Sequence, residues 1–366
     1  MAHRIAVIPA DQVGPEVIRE GLKALRKLEE LRLCSFQFTE FPWGADHYLN
    51  TGAAMPSDGL ETLMRYEAIY FGAHGDPARV PNSIGAMGLL QPIRRGFEQY
   101  ANVRPSRLLP GVVSPIRDKP DIDLVIIREN SEGEYAGIGG RLHVGTPDEV
   151  ALQTTVVTRR GAERVIRFAF ELARKRNGKK RVATATKPGA LIHSMTLWDE
   201  VFDEVASAYP EVHSARLNQD ALSAQLIERP ELFDVIVATN MVGDILSDQA
   251  AVIAGGIGLA PGANLNPERK YPSLFEPIHG SAPDIAGKGI ANPVATILAG
   301  QMMVDWLGEA AAADLMKRAV ERVLGDGRVR TRDLGGHSST SEMGDAICAK
   351  MEELAGMPSP FGRGSG

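Results

Sequence analysis

Cysteine is nearly absent: the 366-residue chain holds only Cys34 and Cys348, far apart and matching no metal-ligand spacing. That excludes a disulfide framework and a cysteine zinc site, and it fits a reducing compartment. Long apolar runs are also missing. The start, MAHRIAVIPADQVG, has no stretch that could serve as a signal peptide, and later apolar stretches are broken by Asp, Asn or clustered Gly. A cytoplasmic protein without membrane contact is expected. Nor is there an excess of positive charge: 40 Lys and Arg against 46 Asp and Glu leave a formal net charge of −6, which disfavours nucleic acid and anionic membranes as partners. The one basic run, ARKRNGKKR (173–181), has no interleaved aromatics and reads as a solvated helix end, an Asn-Gly turn and the start of a strand.

What is there is an ordinary globular composition, 44% hydrophobic and 23% charged, with length enough for about two domains. Disorder is expected only in the C-terminal GMPSPFGRGSG. Short β-branched runs alternate with longer amphipathic ones, the pattern of an α/β fold. RIAVIP, AIYFGA, IDLVIIREN, VALQTTVVT, RVATATK and FDVIVATNM read as strands. PEVIREGLKALRKLEEL, GAERVIRFAFELARKR and MTLWDEVFDEVASAYP read as helices, and PVATILAGQMMVDWLG with AAADLMKRAVERVLGDG as a helical pair. No linker divides the chain by composition. G-x-G-x-x-G does not occur after any strand, which excludes an ordinary Rossmann dinucleotide site.

Four segments carry candidate chemistry. In NMVGDILSDQ, a helix over Met241–Ala251 would set Asp244 and Asp248 on one face a turn apart. Such a pair suits a hard-oxygen site for Mg²⁺ or Mn²⁺, or simply complements the helix dipole. Arg94, Arg95, Arg104 and Arg107 crowd LLQPIRRGFEQYANVRPSR, and Arg128 ends a strand ahead of Tyr135. Convergent guanidinium forks would hold a di- or tricarboxylate; singly, each could be a solvated charge. Lys187 follows a strand in ATATKPG, where a neighbouring metal could make it a base, or where it could be a surface lysine. Finally, FEPIHGSAPDIAGKGIANP is too rich in Gly, Ser, Ala and Pro for long regular structure, yet His279, Asp284 and Asn292 punctuate it as a ligand loop.

Together these segments resemble the metal-dependent β-decarboxylating dehydrogenases that include isocitrate and 3-isopropylmalate dehydrogenase, most of all the tartrate/D-malate dehydrogenase branch. IRRGFEQYANVRP, IIRENSEGEYAG, FDVIVATNMVGDILSD, GANLNPERKYPSLFEPIHGSAPDIAGKGIANP and TRDLGG carry the likeness in family order, from about Arg4 to Glu342. The resemblance implies an isopropylmalate-dehydrogenase-like α/β fold, not a Rossmann fold, with two α/β domains around a mixed sheet. Residues 1–98 plus 254–366 would form a discontinuous large cofactor-binding domain. Residues 99–253 would form a smaller domain with the dimer contact and the metal and substrate residues. It further implies that Asp244 and Asp248 ligate Mg²⁺ or Mn²⁺ together with Asp220 of the other subunit. Arg94, Arg104 and Arg128 hold substrate carboxylates; Tyr135 and the partner's Lys187 are the acid/base pair. His279, Gly280, Ser281, Ala282, Asp284, Ile285 and Asn292 form the NAD site, where the Asp284 carboxylate favours NAD over NADP.

The implied reaction is NAD- and metal-dependent oxidative decarboxylation of a D-malate-like 2-hydroxy acid by a homodimer with shared sites. The segment before Arg94, SIGAMGLLQPIR, lacks the Ser-x-Asn of isocitrate enzymes and has Met87 where isopropylmalate enzymes carry Glu. D-malate, tartrate or a 3-substituted malate is therefore expected. Three departures from the family pattern stand out: Ala10 and Gln12 in place of glycines in ADQVG, Gly189 in place of an Asn, and GAMG in place of SLWG. They keep two other readings open, a noncatalytic or regulatory paralogue and a metal-dependent decarboxylase or lyase without net redox.

Overall fold

The computed structural model describes residues 2–117, 121–176 and 178–356. The C-terminal segment expected to be disordered lies outside them from residue 357 onward, as does Asn177 of the expected Asn-Gly turn. In chain order the strands are β1 (His3–Ala10), β2 (Phe36–Glu40), β3 (Ala68–Ala73), β4 (Ala101–Arg107), β5 (Asp123–Glu129), β6 (Gly139–Leu142), β7 (Val150–Gln153), β8 (Arg181–Thr186), β9 (His213–Asn218), β10 (Val235–Ala238), β11 (Pro261–Leu265) and β12 (Ser273–Pro277). Ten of them make one mixed sheet in the order β2-β1-β3-β12-β11-β4-β5-β10-β8-β9, and β6 and β7 pair as a separate antiparallel arm. VALQTTVVT is thus corrected: only Val150–Gln153 is strand, and it lies in the exposed arm rather than in the sheet.

The two ends of the sheet are parallel and its centre is not. β2, β1, β3 and β12 run together, as do β5, β10, β8 and β9, while β11 and β4 join the halves through antiparallel pairs. β1, β2, β3, β11 and β12 come from residues 3–73 and 261–277, and the other five from the stretch 101–238 between them. Ile5, Ala6, Val7 and Ile8 in β1 are all fully buried, as a strand covered on both faces requires.

Alternation of side chains decides where the core is continuous. Ala101 and Val103 of β4, Val125 and Ile127 of β5, Ala263 of β11 and Phe275 of β12 point to one face and join a single large core. Helices Gly14–Glu30, Arg159–Lys175, Ser194–Ser207, Val294–Trp306, Ala310–Asp326 and Thr340–Ala355 contribute to it. The opposite face carries two separate apolar clusters. One lies under helix Asn240–Ile253, and the other involves helix Gln91–Gly96. Between them the strands present Asn102, Arg104, Arg128, Asn264 and Glu276, all buried. A seam of buried polar groups stands there in place of core.

The first strand-to-helix turn is tight enough to dictate its residues. A Cβ on Gly14 would lie 2.1 Å from the Pro9 carbonyl oxygen, so the helix start can approach β1 only without a side chain. Ala10 and Gln12, where family glycines were expected, hold φ of 58° and 55°, the left-handed region that costs a non-glycine residue about 1–2 kcal/mol. The backbone keeps the glycine geometry although the glycines are gone.

Candidate active site

The polar seam is a connected network. Asn102 Nδ2 donates to the Asn264 amide oxygen at 3.0 Å, Asn130 Nδ2 donates to the same oxygen at 2.8 Å, and Asn264 Nδ2 donates to Glu276 Oε1 at 2.8 Å. Arg94, on the helix Gln91–Gly96, reaches that carboxylate at 2.8 Å. Both members of this ion pair are almost fully buried. Burial works to raise the Glu276 pKa, but the Arg94 guanidinium and the Asn264 amide outweigh it and hold the carboxyl below its ordinary value. Sequence reading missed Glu276; its signal was an acid inside the otherwise apolar strand SLFEP.

Asp244 is the centre of the site. Its helix, Asn240–Ile253, follows β10 directly and packs so closely on β5 that a Cβ on Gly243 would meet Arg128 Cβ at 2.8 Å. That approach brings Asp244 onto three groups the sequence singled out: Arg104 Nη1 donates to Oδ1 at 2.9 Å, Arg128 donates to the same oxygen, and the Tyr135 hydroxyl donates to Oδ2 at 2.8 Å. Asn240, not identified from sequence, accepts from Arg128 Nε at 2.9 Å. Arg128 lies over the Tyr135 ring, 5.1 Å from its centroid. Burial pushes the Asp244 pKa up, yet Arg128 and Arg104 more than reverse this and lower it. Tyr135 is raised by burial and by the Asp244 charge, so its phenol stays protonated at neutral pH. Asp248 comes one turn later, 4.0 Å from Arg104, with more than half of its side chain open to solvent; partial desolvation of its carboxyl, with the Asp244 charge, raises its pKa against the pull of Arg104.

A cleft of about 250 Å³ opens over this centre, lined by Arg94, Arg104, Arg128, Tyr135, Asp244 and Glu276 together with His279 and Gly280. Lys187 and Asp220 are elsewhere. They follow β8 and β9, and Lys187 donates to Asp220 Oδ1 at 2.7 Å, lowering the Asp220 pKa. β8 is two strands from β5, roughly 10 Å at the usual spacing. Among the described residues no three carboxylate, histidine or cysteine side chains of one chain gather to hold a metal.

The glycine-rich loop borders a second cleft of about 350 Å³, mostly apolar. Of the loop residues expected there, His279, Ala282, Ile285 and Asn292 line it; Gly280, Ser281 and Asp284 do not, and Asp284 is exposed. Sequence reading missed Asp333, which lines this cleft and accepts from Asn292 Nδ2 at 2.9 Å, although it stands in the TRDLGG motif. It also missed Glu16, whose carboxylate accepts the backbone N–H of Gly287 and, at 3.2 Å, of Gly289. No helix among the described residues is long and apolar enough to cross a membrane.

Residues 4–347 match the sequence model of the isocitrate/isopropylmalate dehydrogenase family. The chain belongs to that family. A probable tartrate dehydrogenase/decarboxylase of Bacillus subtilis (strain 168) is 48% identical over 96% of this chain and 98% of its own length. The D-malate dehydrogenase [decarboxylating] of Escherichia coli (strain K12) is 47% identical over 94% and 97%. The crystal structure of isocitrate dehydrogenase from Methylococcus capsulatus superposes with a TM-score of 0.87 at 36% identity, covering 95% of this chain and 99% of that one. The fold is therefore isocitrate dehydrogenase-like, as the resemblance implied.

Proposed function

We propose that this member of the family is an NAD- and Mg²⁺/Mn²⁺-dependent decarboxylating dehydrogenase of a D-malate-like 2-hydroxy acid, working in the cytoplasm as a homodimer with shared active sites. The observation that carries the reading is the convergence of Arg94, Arg104, Arg128, Tyr135 and Asp244 on one cleft: three guanidinium groups suit a dicarboxylate, and a phenol kept protonated suits a proton donor. The names of the relatives, tartrate and D-malate dehydrogenases, agree with it.

One chain supplies two hard-oxygen carboxylates, Asp244 and Asp248, on one helix face, so the donor chemistry fits a divalent cation but needs a third acid. The partner's Asp220 would complete it. Exposed apolar side chains support that pairing: Met241, Ile245 and Val252 lie on the helix that carries both acids, Leu191 and Ile192 follow Lys187, and Leu142, Val150 and Leu152 project from the β6–β7 arm. Apolar surface of this kind, bordering acid and lysine groups, suits an interface with a second copy. The sheet order likewise supports domains of residues 1–98 plus 254–366 and of 99–253, meeting at the β11–β4 pair.

When bound, the cation would supply Lewis acidity at the substrate's 2-oxygen, and NAD⁺ would accept the hydride. The chain's own residues do the rest. Arg94, Arg104 and Arg128 orient the carboxylates, and the partner's Lys187 takes the 2-hydroxyl proton. Tyr135 returns a proton to the carbon that has lost carbon dioxide. The second cleft takes the adenosine, where the Asp333 carboxylate suits ribose hydroxyls better than a 2′-phosphate.

NADH formation with Mn²⁺, NAD⁺ and D-malate, the tartrates, isopropylmalate or isocitrate tests the reading. Oxidation of a malate-like acid is expected; NAD⁺ and Mn²⁺ binding without turnover of any of them would sink it in favour of a noncatalytic paralogue. Glu16→Gln should raise KM for NAD⁺ several-fold with kcat nearly unchanged, since a neutral amide holds the Gly287 and Gly289 N–H groups less firmly than a carboxylate. Steady-state kinetics with varied NAD⁺ separates the two constants.

A further inference from the structure

We infer that a groove on the far side of the sheet binds a nucleoside polyphosphate, its flat base against Arg269 and its phosphates along helix Arg159–Lys175. The groove, about 590 Å³ in volume, lies over the large core, on the face opposite helix Asn240–Ile253. It shares no lining residue with either cleft described above, nor with the apolar surface expected to meet a second copy. One wall is helix Arg159–Lys175; the other is the loop between β11 and β12, with Trp306 at the end of helix Val294–Trp306. Its charge sets it apart. Arg160, Arg164, Arg167, Lys175 and Arg269 line it against three acids, Glu163, Glu171 and Glu268, a basic balance in a chain whose formal net charge is −6. Arg167 pairs with Glu163 at 2.7 Å, but among the described residues no carboxylate pairs with Arg164, Lys175 or Arg269.

Two of those cations are mounted on rings. Arg164 lies over Tyr100, 4.3 Å from its centroid, and donates Nη2 to Ser131 Oγ at 2.7 Å; Arg269 lies over Trp306 at 4.0 Å. A guanidinium stacked on one ring leaves its outer face to a second flat ring and its N–H edge to oxygen acceptors. Arg269 is exposed, yet its place is fixed by the loop. Its φ of 55° is in the left-handed region, which costs a non-glycine residue about 1–2 kcal/mol. Wholly buried Asn266 pins the loop: its amide oxygen accepts from Lys270 N–H at 2.8 Å and Tyr271 N–H at 3.3 Å, and its Nδ2 donates to the Glu98 carbonyl at 3.2 Å. Backbone strain held in this way clusters at ligand sites. A nucleoside polyphosphate answers both features, since its base extends the Arg269–Trp306 stack and its phosphate oxygens accept from Arg164 and Lys175. A dicarboxylate or a free phosphate would meet the cations and leave the stack unused.

Calorimetric titration of the full chain with ATP and with inorganic tripolyphosphate, in EDTA so that no cation bridges the phosphates, tests the inference. ATP should bind, and about 5- to 50-fold more tightly than tripolyphosphate, the worth of one stacked base. Arg269→Ala should remove most of that margin, and Arg164→Gln should weaken both ligands. NAD⁺ affinity should keep its wild-type value in both variants, which separates the groove from the cofactor cleft. Arg318→Ala, which removes a cation outside the groove, should change neither ligand, and thermal melting verifies that all three variants fold. Three results would each overturn the inference: no binding at millimolar ATP, ATP binding that Arg269→Ala and Arg164→Gln leave unchanged, or tripolyphosphate binding as tightly as ATP. The dehydrogenase reading stands or falls separately, by NADH formation.

Discussion

Lys187→Ala should lower turnover by about 10²- to 10⁴-fold, the range lost with a general base, while the melting temperature stays close to wild type. Lys187 is partly exposed and its ion pair is with an exposed Asp220, so little stability depends on it. The sharper outcome concerns which chain it serves. Lys187 sits two strands from Arg128 within its own chain, whereas Tyr135 touches Asp244 directly. If the base comes from the partner, mixing Lys187→Ala with Tyr135→Phe places both defects in one site of each mixed dimer and leaves the other site intact. About a quarter of the wild-type site activity should then return from two nearly inactive proteins. No recovery after verified subunit exchange would mean that Lys187 acts on its own chain, and the shared-site reading would fail.

Asp244→Ala should be among the most damaging single substitutions for stability. The carboxylate is the counter-charge for Arg104 and Arg128, both almost wholly buried, and it also accepts from Tyr135. Removing one partner of a buried ion pair leaves an uncompensated charge, which costs about 3–5 kcal/mol. Here two guanidinium groups would face each other with Arg94 nearby, and Arg104 already disfavours the charge on Arg128. Denaturant unfolding measures the loss. A dicarboxylate such as tartrate should restore the variant more than it stabilises wild-type protein, because the ligand supplies the missing anion. A loss below about 1 kcal/mol would show that solvent already screens this centre, as it does at exposed pairs.

Legibility varied along the chain for identifiable reasons. The helix expected over Met241–Ala251 is present as Asn240–Ile253, and PEVIREGLKALRKLEEL, GAERVIRFAFELARKR and the C-terminal helical pair are also found where periodicity placed them. Each buries one stripe against the sheet, which leaves a regular pattern in the residues. β4 left no such pattern. ANVRPSR carries two arginines and a proline, which argue against a central strand. It is tolerated because β11 pairs only with Ala101 to Val103, so Pro105 lies beyond that contact, and because Arg104 faces the polar seam rather than core. Glu16 and Glu276 were missed for a related reason. Each is an ordinary polar residue in sequence, and its importance comes from what it meets in space.

The sequence by itself determined the α/β class, the family and the identity of the arginine, tyrosine, lysine and acid groups, because residue type, period and motif are local properties. Tertiary structure alone decided that Arg104 and Arg128, 24 positions apart, clasp one carboxylate of a helix still farther along the chain. It also decided that Lys187 and Asp220 stand apart from that centre. Those outcomes follow from strand order, the alternation of faces across β4 and β5, and a helix seated on Gly243. Such relations join residues distant in sequence, and no local pattern encodes them.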